Sequence, residues 1–357
     1  MQIEKLELEN GEEIAIYGAR MVAMSVYHAI RALYPQCRVI AFLVTSRVGN
    51  RAEIDGIPVM ELKDFSKKQV KILLAVQDNY HREIGAELEK RGMLHYIPIN
   101  AKLEAALMER YYQEVEELPF LHSLKKGTEK ADLAVYVSKF HGDKPLKEQW
   151  EPATWMHPIQ AGAALTESSV AQLKDNQGEN ISRKNGNYSE LTSTYWIGKH
   201  GTAEYLGLYH YRRMLDITEE DLYRLRENKV DAVLSYPAIY YPNIWTHHEY
   251  YLKEGDWAAM VQALQEQAPE YARDLPELFY GKFFLNHNML VAQKKVFREY
   301  CDWLFPILER TEELSEPRGW ERADRYIGYL GENLTTLYFL YNQRNLNLVY
   351  TGRRMRI

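Results

Sequence analysis

The stretch Glu13-Ile-Ala-Ile-Tyr-Gly18 opens the part of the sequence that decides the fold. It is a short apolar run that ends in glycine, which is typical of a buried strand followed by a tight turn. Apolar residues then recur at helical spacing from Val22 to Leu33, and a second apolar run covers Arg38–Val44. A strand, a helix and a further strand in this order predict a parallel sheet with helices on its faces.

The same alternation continues further along the chain. Lys71–Val76 predicts another strand, and the helix after it runs to about residue 90. A helical, acidic segment over 103–117 is followed by Leu118-Pro119, and the proline is a signal that ends a helix. We therefore predict a Rossmann-like module over residues 1–122 and a second α/β domain over residues 130–357.

The first turn departs from the fingerprint of dinucleotide-binding proteins, in which three glycines let the backbone approach a pyrophosphate. Only Gly18 fits, because Arg20 and Ala23 occupy the other two glycine positions. Two interpretations stay open, a nucleotide site in which Arg20 binds phosphate and a degenerate module used for packing or regulation. The degraded pattern argues against a nicotinamide-dependent oxidoreductase.

Composition excludes several classes of protein. The 357 residues are 46% hydrophobic and 26% charged, which is ordinary globular usage at a length that favours two domains. A net charge of -6 supplies no basic field for nucleic acid. Cys37 and Cys301 are too few for a disulfide framework or a thiolate zinc site. The acidic amino terminus does not resemble a signal peptide, and no apolar run is long enough to span a membrane, so we predict a cytoplasmic protein.

The second domain contains a long polar loop between predicted regular elements. A strand over Ala131–Val137, a helix over 188–199 and a strand over Glu204–His210 are predicted from apolar patterning. Between them, residues 174–190 are rich in Asn, Ser and Gly. We interpret this segment as a ligand-facing loop, and a solvated connector is the alternative.

Several phrases of the second domain resemble one family, the bacterial glycosyltransferases of capsular and exopolysaccharide biosynthesis long known as a domain of unknown function (DUF4422). The resemblance covers about residues 131–348, and its most specific part is His210-Tyr-Arg-Arg213. It implies a type A glycosyltransferase (GT-A) domain that uses a sugar nucleotide. The phrases that carry it are Asp175–Ser182, Asn187–Thr192, Tyr205–Arg213, Asn288–Ala292 and Tyr300–Leu308.

The resemblance implies transfer of a hexosyl group, galactosyl or galactofuranosyl, from a UDP-sugar to a surface polysaccharide or to a glycan on polyprenyl diphosphate. A catalytically inactive nucleotide- or glycan-binding protein is the alternative. Type A enzymes commonly hold a metal with an Asp-x-Asp motif, which this sequence lacks. His210–Arg213 stands at the equivalent strand end, so we expect arginine to bind the donor phosphates, with Mn²⁺ or Mg²⁺ still possible.

The sequence predicts three groups of site residues. Arg212 and Arg213 are the leading phosphate ligands, although we expect one of them to pair with a carboxylate such as Asp216. His210 is the kind of strand histidine that is often simply hydrogen-bonded in a core, and Glu190 is also a natural first-turn acid. The complete donor-binding set is His210, Arg212, Arg213, Glu190, Asn180 and Ser182; the acceptor-binding set is Trp245, His247, His248, Asn286 and Asn288.

Glu332 is the leading catalytic candidate, as base or acceptor anchor, together with Arg212 and Asp175 and with Asp324 behind them. We expect Glu332 to begin an apolar helix over 334–341. Gly331 and Asn333 depart from the serine and arginine that usually flank this glutamate in the family. Inversion would require such a base and retention would not, and the sequence favours neither outcome.

The carboxyl-terminal residues Arg353-Arg-Met-Arg-Ile357 carry three arginines. They predict weak peripheral contact with anionic lipid, worth about 3 kcal/mol. A solvated tail is the alternative.

Overall fold

The computed structural model describes residues 6–146, 151–285 and 287–356. The chain divides into two compact units. The first contains Met1–Leu118 and Ala238–Tyr241, and the second contains Pro119–Pro237 and Pro242–Ile357. Asn286, which we predicted to bind the acceptor, lies outside the described residues.

The first unit is a sheet flanked by helices. Its strands run in the order β3-β4-β2-β1-β5-β6, parallel except for the antiparallel pair β3/β4. The strand order grows outward from β1 in both directions, which is the Rossmann-like arrangement predicted from the alternating pattern. The elements are β1 Glu13–Tyr17, α1 Met21–Leu33, β2 Arg38–Val44, β3 Glu53–Ile54, β4 Ile57–Glu61, β5 Lys71–Leu74, α2 His81–Lys90, β6 Tyr96–Pro98 and α3 Ala101–Glu114.

Gly18 is needed where β1 turns into α1. Its φ is +124°, and a Cβ atom there would lie 2.5 Å from the carbonyl oxygen of Ala75, which follows β5. A side chain would therefore both strain the backbone and collide with the neighbouring strand end. This close approach explains the glycine by packing alone.

The second unit is built on a larger mixed sheet. Its elements are β7 Leu133–Lys139, β8 Met156–Gln160, β9 Leu173–Lys174, α4 Asn185–Tyr188, α5 Leu191–His200, β10 Tyr205–His210, β11 Arg213–Leu215, α6 Asp221–Glu227, β12 Ala232–Ser235, α7 Thr246–Tyr251, α8 Glu254–Gln267, α9 Pro269–Phe279, β14 Phe283–Phe284, β15 Leu290–Gln293, α10 Lys294–Leu314, α11 Tyr326–Asn342, β16 Leu348–Thr351 and β17 Arg353–Met355, whereas β13 Ala238–Ile239 belongs to the first unit.

The strand order of this sheet is β16-β12-β15-β10-β7-β8-β9. The strands β10, β7, β8 and β9 are parallel, and β15 lies antiparallel between β10 and β12. The chain moves to one side of β7 with β8 and β9 and returns to its other side with β10. Ligands of open α/β sheets bind at such a reversal, outside the carboxyl ends of the strands.

The sheet of the second unit packs against α6 through an apolar core and also contacts α5 and α10. Tyr205 and Tyr209 of β10 point into an apolar core that also contains Leu222 and Leu225 of α6. Helices α5 and α10 contact the sheet and each other.

Three expectations about local structure are wrong. The polar segment 174–190 contains a 3₁₀ turn at Ser182–Lys184 and the helix α4, so it is not an unstructured loop. Glu332 lies in the interior of α11 and does not begin a helix. The carboxyl-terminal arginines do not form a loose tail, because β17 pairs with β11. Within the described ranges, no helix combines the length and the apolar character needed to cross a membrane.

Candidate active site

A cleft opens at the carboxyl ends of β7, β8 and β10, at the point where the strand order reverses. Its volume is about 570 Å³. Among the described residues its lining carries four side chains of Lys or Arg and two carboxylates. The lining residues are Ser138, Phe140, Gly142, Asp143, Lys144, Ala161, Asn185, Gly186, Ser189, Glu190, His210, Tyr211, Arg212, Arg213, Ala323 and Arg325.

The His210–Arg213 segment forms a tight hairpin at the mouth of this cleft. His210 ends β10 and pairs with Arg213, the first residue of β11, so Tyr211 and Arg212 form the turn. His210 Nε2 lies 2.8 Å from the carbonyl oxygen of His287. Because a carbonyl only accepts, Nε2 carries the hydrogen, and the imidazole is held in one tautomer.

Neither Arg212 nor Arg213 has an ion-pair partner among the described residues, and both line the cleft. The expectation that one of them pairs with Asp216 is wrong, because Asp216 pairs with Arg354. Burial lowers the pKa of Arg213 from its usual value, and the positive charge of Arg212 acts in the same direction. An anion in the cleft would relieve this unfavourable environment.

His287 experiences the same excess of positive charge as Arg213. Burial lowers the pKa of the His287 imidazole well below its usual range, and the charges of Arg353 and Arg213 add to the effect. Glu332 and Glu190 oppose the positive charges around Arg213. The neighbourhood therefore combines three arginines with two carboxylates, which suits a multiply charged anion better than a neutral ligand.

Glu190 is held at the edge of the cleft by Asn288. Asn288 is buried, and its Nδ2 donates to Glu190 Oε1 at 2.8 Å and to the carbonyl oxygen of Gly328 at 3.1 Å. The Asn288 amide, which we predicted to contact the acceptor, positions Glu190 in this structure. Glu190 Oε1 also lies 3.8 Å from His210 Nε2.

Four residues with left-handed backbone conformations cluster around the same groups. Ser189, His287, Asn288 and Arg325 have φ values between +50° and +77°. Two of them contact each other, since Arg325 Nε donates to Ser189 Oγ at 2.9 Å. Side chains other than glycine rarely adopt this conformation, and such strain concentrates at functional sites.

Three predicted site residues instead stabilise the polar segment before α5. The Asp175 carboxylate is fully buried and accepts hydrogen bonds from Gly162 N at 2.8 Å, Ala163 N at 3.1 Å and Ser182 Oγ at 2.5 Å. Asn180 Oδ1 accepts from Ser182 N at 3.1 Å. Through these contacts Asp175, Asn180 and Ser182 hold the polar segment in its fold.

Trp245 and His248, which were predicted to bind the acceptor, pack against another aromatic ring. His248 stacks on Trp257 with ring centroids 4.3 Å apart, and Trp245 contacts the same ring at 5.6 Å. Burial lowers the pKa of His248. His248 and Trp245 are half-buried and contribute to this aromatic packing.

His247 faces the other way and meets the leading catalytic candidate. Its imidazole is 1% exposed, and Nε2 lies 3.5 Å from Glu332 Oε2. Glu332 is mostly buried and shares the neighbourhood of Arg213. Asp324 lies apart from this pair and is bound by the guanidinium of Arg322.

The sequence of the second unit matches a known family. Residues 141–343 match the profile of the family described as a domain of unknown function (DUF4422). This match spans more than half of the chain. The chain belongs to the DUF4422 family. The segment Met1–Leu118 of the first unit lies outside the matched residues.

A solved structure is similar to this DUF4422 member. It is described as the apo structure of the bifunctional glycosyltransferase WbbM, and it shares 26% identity at a TM-score of 0.54. The match covers 63% of this chain and 45% of the WbbM chain, so this chain spans less than half the length of that protein. A comparison with curated proteins finds no match. Together with the two sheets, this neighbour confirms the predicted fold class, a Rossmann-like module followed by a GT-A-type glycosyltransferase domain.

The residues of the cleft do not fit a divalent metal ion held by carboxylates. Asp143 accepts a hydrogen bond from Phe140 N at 2.8 Å, and Glu190 is bound by Asn288. In the parts of the chain that the structure describes, no group of three His, Cys, Asp or Glu side chains is arranged to hold a metal. The cationic lining instead suits direct contact with phosphate oxygens.

Sequence reasoning missed several residues of the cleft. Asp143 and Lys144 lie in the loop after β7, so their position after a strand of the predicted sheet was an available signal. Ser189 and Arg325 come together from distant parts of the chain. No local sequence pattern indicates that contact.

Proposed function

We propose that this DUF4422 member is a glycosyltransferase that moves a hexosyl group, galactosyl or galactofuranosyl, from a UDP-sugar to a surface polysaccharide or a lipid-linked glycan. One observation carries the proposal. Arg212 and Arg213 have no ion-pair partner among the described residues and line a cleft at the strand-order reversal of the second unit. The similarity to a bifunctional glycosyltransferase supports the same class of reaction.

The proposed role of the two arginines is to bind the donor diphosphate. A guanidinium group presents parallel N–H donors that match phosphate oxygens, and it stays charged at physiological pH. When the bond between the anomeric carbon and the diphosphate oxygen breaks, negative charge grows on the departing UDP. Fixed cations at that point stabilise the transition state more than the bound substrate.

The acceptor hydroxyl must lose a proton as its oxygen bonds to the anomeric carbon. We assign that proton to Glu332 if the configuration inverts, because its carboxylate is mostly buried and lies in the electrostatic neighbourhood of Arg213. The products are then UDP, the glycosylated acceptor and a protonated Glu332, which returns its proton to solvent. Glu190, fixed by Asn288, is proposed to contact the ribose or the donor sugar.

A lipid-linked acceptor would bring the protein to the inner face of the membrane. The terminal arginines are partly committed elsewhere, since Arg354 pairs with Asp216 and the Arg353 guanidinium lies 5.4 Å from the Tyr236 ring centroid. We therefore propose a cytoplasmic protein whose membrane contact comes through its acceptor more than through its tail.

The test uses the purified full-length chain with a panel of nucleotide sugars and with lipid-linked or oligosaccharide acceptors. We expect UDP to be released with at least one UDP-hexose, and transfer to be retained after treatment with chelator. Binding of UDP without turnover would support the inactive binding protein instead. Activity that is lost with chelator and restored by Mn²⁺ would contradict the phosphate role of the arginines.

A matched pair of variants tests the arginines themselves. Arg212→Ala should weaken UDP binding by about tenfold or more, which corresponds to one charge-assisted hydrogen bond of at least ~1.4 kcal/mol. Arg354→Ala removes a nearby arginine that already pairs with a carboxylate, and it should leave the affinity unchanged. Equal effects of the two variants would remove the phosphate role.

A further inference from the structure

The imidazole of His247 bridges two successive residues of α11. His247 is 1% exposed and lies on α7, with its ring stacked on Phe284 at a centroid distance of 4.1 Å and an angle of 24°. One ring nitrogen faces Asn333, and the other faces Glu332. The stacking fixes the plane of the ring, so both contacts are set by the same packed geometry.

The contact with Asn333 determines which nitrogen of His247 carries the hydrogen. Asn333 Nδ2 lies 2.9 Å from the carbonyl oxygen of Tyr329 and 3.1 Å from His247 Nδ1. A carbonyl oxygen only accepts, so the atom between them must be the amide nitrogen, which donates to both. His247 Nδ1 is consequently an acceptor, and in the neutral ring the hydrogen resides on Nε2.

That hydrogen points toward the carboxylate proposed as the base. His247 Nε2 lies 3.5 Å from Glu332 Oε2, slightly beyond an ordinary hydrogen bond and within the range that tightens when substrate binds. A donor at this place can orient the carboxylate.

We propose that His247, with its tautomer fixed by Asn333, is a positioning residue for Glu332. The inference rests on the proposed function, in which Glu332 takes the proton of the acceptor hydroxyl. The neutral donor would orient the base and leave it able to accept a proton, whereas a cation there would oppose protonation of the carboxylate.

The first experiment observes the tautomer in the unsubstituted protein. Histidine labelled with ¹⁵N at both ring nitrogens is measured by long-range ¹H–¹⁵N correlation at about pH 8, above the ordinary titration range of histidine. The His247 signals, assigned by their loss in His247→Gln, should show a protonated Nε2 and an unprotonated Nδ1. The opposite tautomer would overturn the proposal whether or not the protein is active.

The second experiment separates positioning from packing. The amide nitrogen of glutamine can replace the Nε2 donor of histidine, whereas that of asparagine falls at the place of Nδ1. We expect His247→Gln to retain most of kcat and His247→Asn to lose about 100-fold, with the donor KM unchanged in both. His200→Asn, on α5, is the matched control and should keep full activity.

A double-variant cycle completes the test. If His247 acts through Glu332, adding His247→Asn to Glu332→Gln should cause no further loss of kcat. An additional loss equal to that in the wild-type background would show an independent structural role and overturn the proposal. Absence of transfer by the unsubstituted protein with every donor would contradict the proposed function itself, and the tautomer measurement would still report on His247.

Discussion

Both units of the chain have a sheet whose strand order reverses at one point, and they differ in what lies there. In the first unit, a Cβ atom at Gly18 would lie 2.5 Å from the carbonyl oxygen of Ala75, and Arg20 donates to a backbone carbonyl at 2.6 Å. In the second unit, the reversal opens into a cleft lined by Arg212 and Arg213. The fold supplies the crevice, and the residues that follow its strands decide whether it becomes a site.

The largest expected difference between the units concerns catalysis. Glu332→Gln should reduce the transfer rate by about 10²- to 10⁴-fold, the usual contribution of a general base. The matched substitution in the first unit is Asp78→Asn, because Asp78 lies after β5 and its carboxylate accepts a 3.3 Å hydrogen bond from Ala101 N. Rates measured at saturating donor should be unchanged for Asp78→Asn. A Glu332→Gln variant with full activity would favour a retaining mechanism without a separate base.

The next difference concerns binding of the nucleotide. Arg213→Ala should weaken UDP binding by about 10- to 100-fold, since it removes a charge-assisted contact of ~1.5–3 kcal/mol. Arg20→Ala should leave the affinity for UDP unchanged. Arg20 lies after the carboxyl end of β1, much as Arg213 lies after the carboxyl end of β10. Isothermal titration with UDP measures both variants. If Arg20→Ala has the larger effect, the first unit holds the nucleotide and the comparison is reversed.

Much of the fold could be predicted because its strands are short apolar runs with clear ends. The segments 13–17 and 38–44 are confirmed as β1 and β2. The start of α11 was missed because Gly328 and Gly331 lower helix propensity. Gly331 is there for packing, since a Cβ atom would lie 2.6 Å from Leu191 Cδ1. Such a contact between distant residues leaves no mark on the local pattern.

The candidate site could be predicted only in part. Arg212 and Arg213 were predicted from the family resemblance and from their place at a strand end, and the structure brings both to the cleft. Asp175, Asn288 and His248 have equally suitable side chains, but their hydrogen-bonding or ring surfaces are used by the protein itself. A residue's chemistry indicates what it can bind. Its partner is decided by tertiary packing.

The packing around Gly18, at the strand-order reversal of the first unit, predicts that substitution there lowers local stability without changing UDP binding. Gly18→Ala should destabilise the first unit by about 2 kcal/mol, from a strained φ of +124° and the contact with the Ala75 carbonyl. Gly11→Ala is the control, because its φ is +79° and no atom lies within 4 Å of the added Cβ. Hydrogen exchange of β1 and β5 amides should increase more for Gly18→Ala. Similar increases would mean that backbone strain alone matters there.

The smallest expected effect is a pH dependence that belongs to the second unit. In the unfolded chain His287 titrates with a pKa of about 6.5. In the folded protein, burial first and then Arg353 and Arg213 lower that pKa well below its usual range. The folded state therefore binds fewer protons below about pH 6.5, and its stability falls as the pH decreases toward the folded-state pKa.

His287→Asn should remove this acid destabilisation, and asparagine tolerates the left-handed φ of +77°. The measurement is hydrogen exchange of the β15 amides at neutral and acidic pH, with and without UDP. Bound UDP places negative charge near His287 and should raise its pKa, so the nucleotide should reduce the acid sensitivity of the wild type more than that of the variant. An equal change from His95→Asn, an exposed histidine of the first unit, would mean that the cleft's positive charge does not govern the effect.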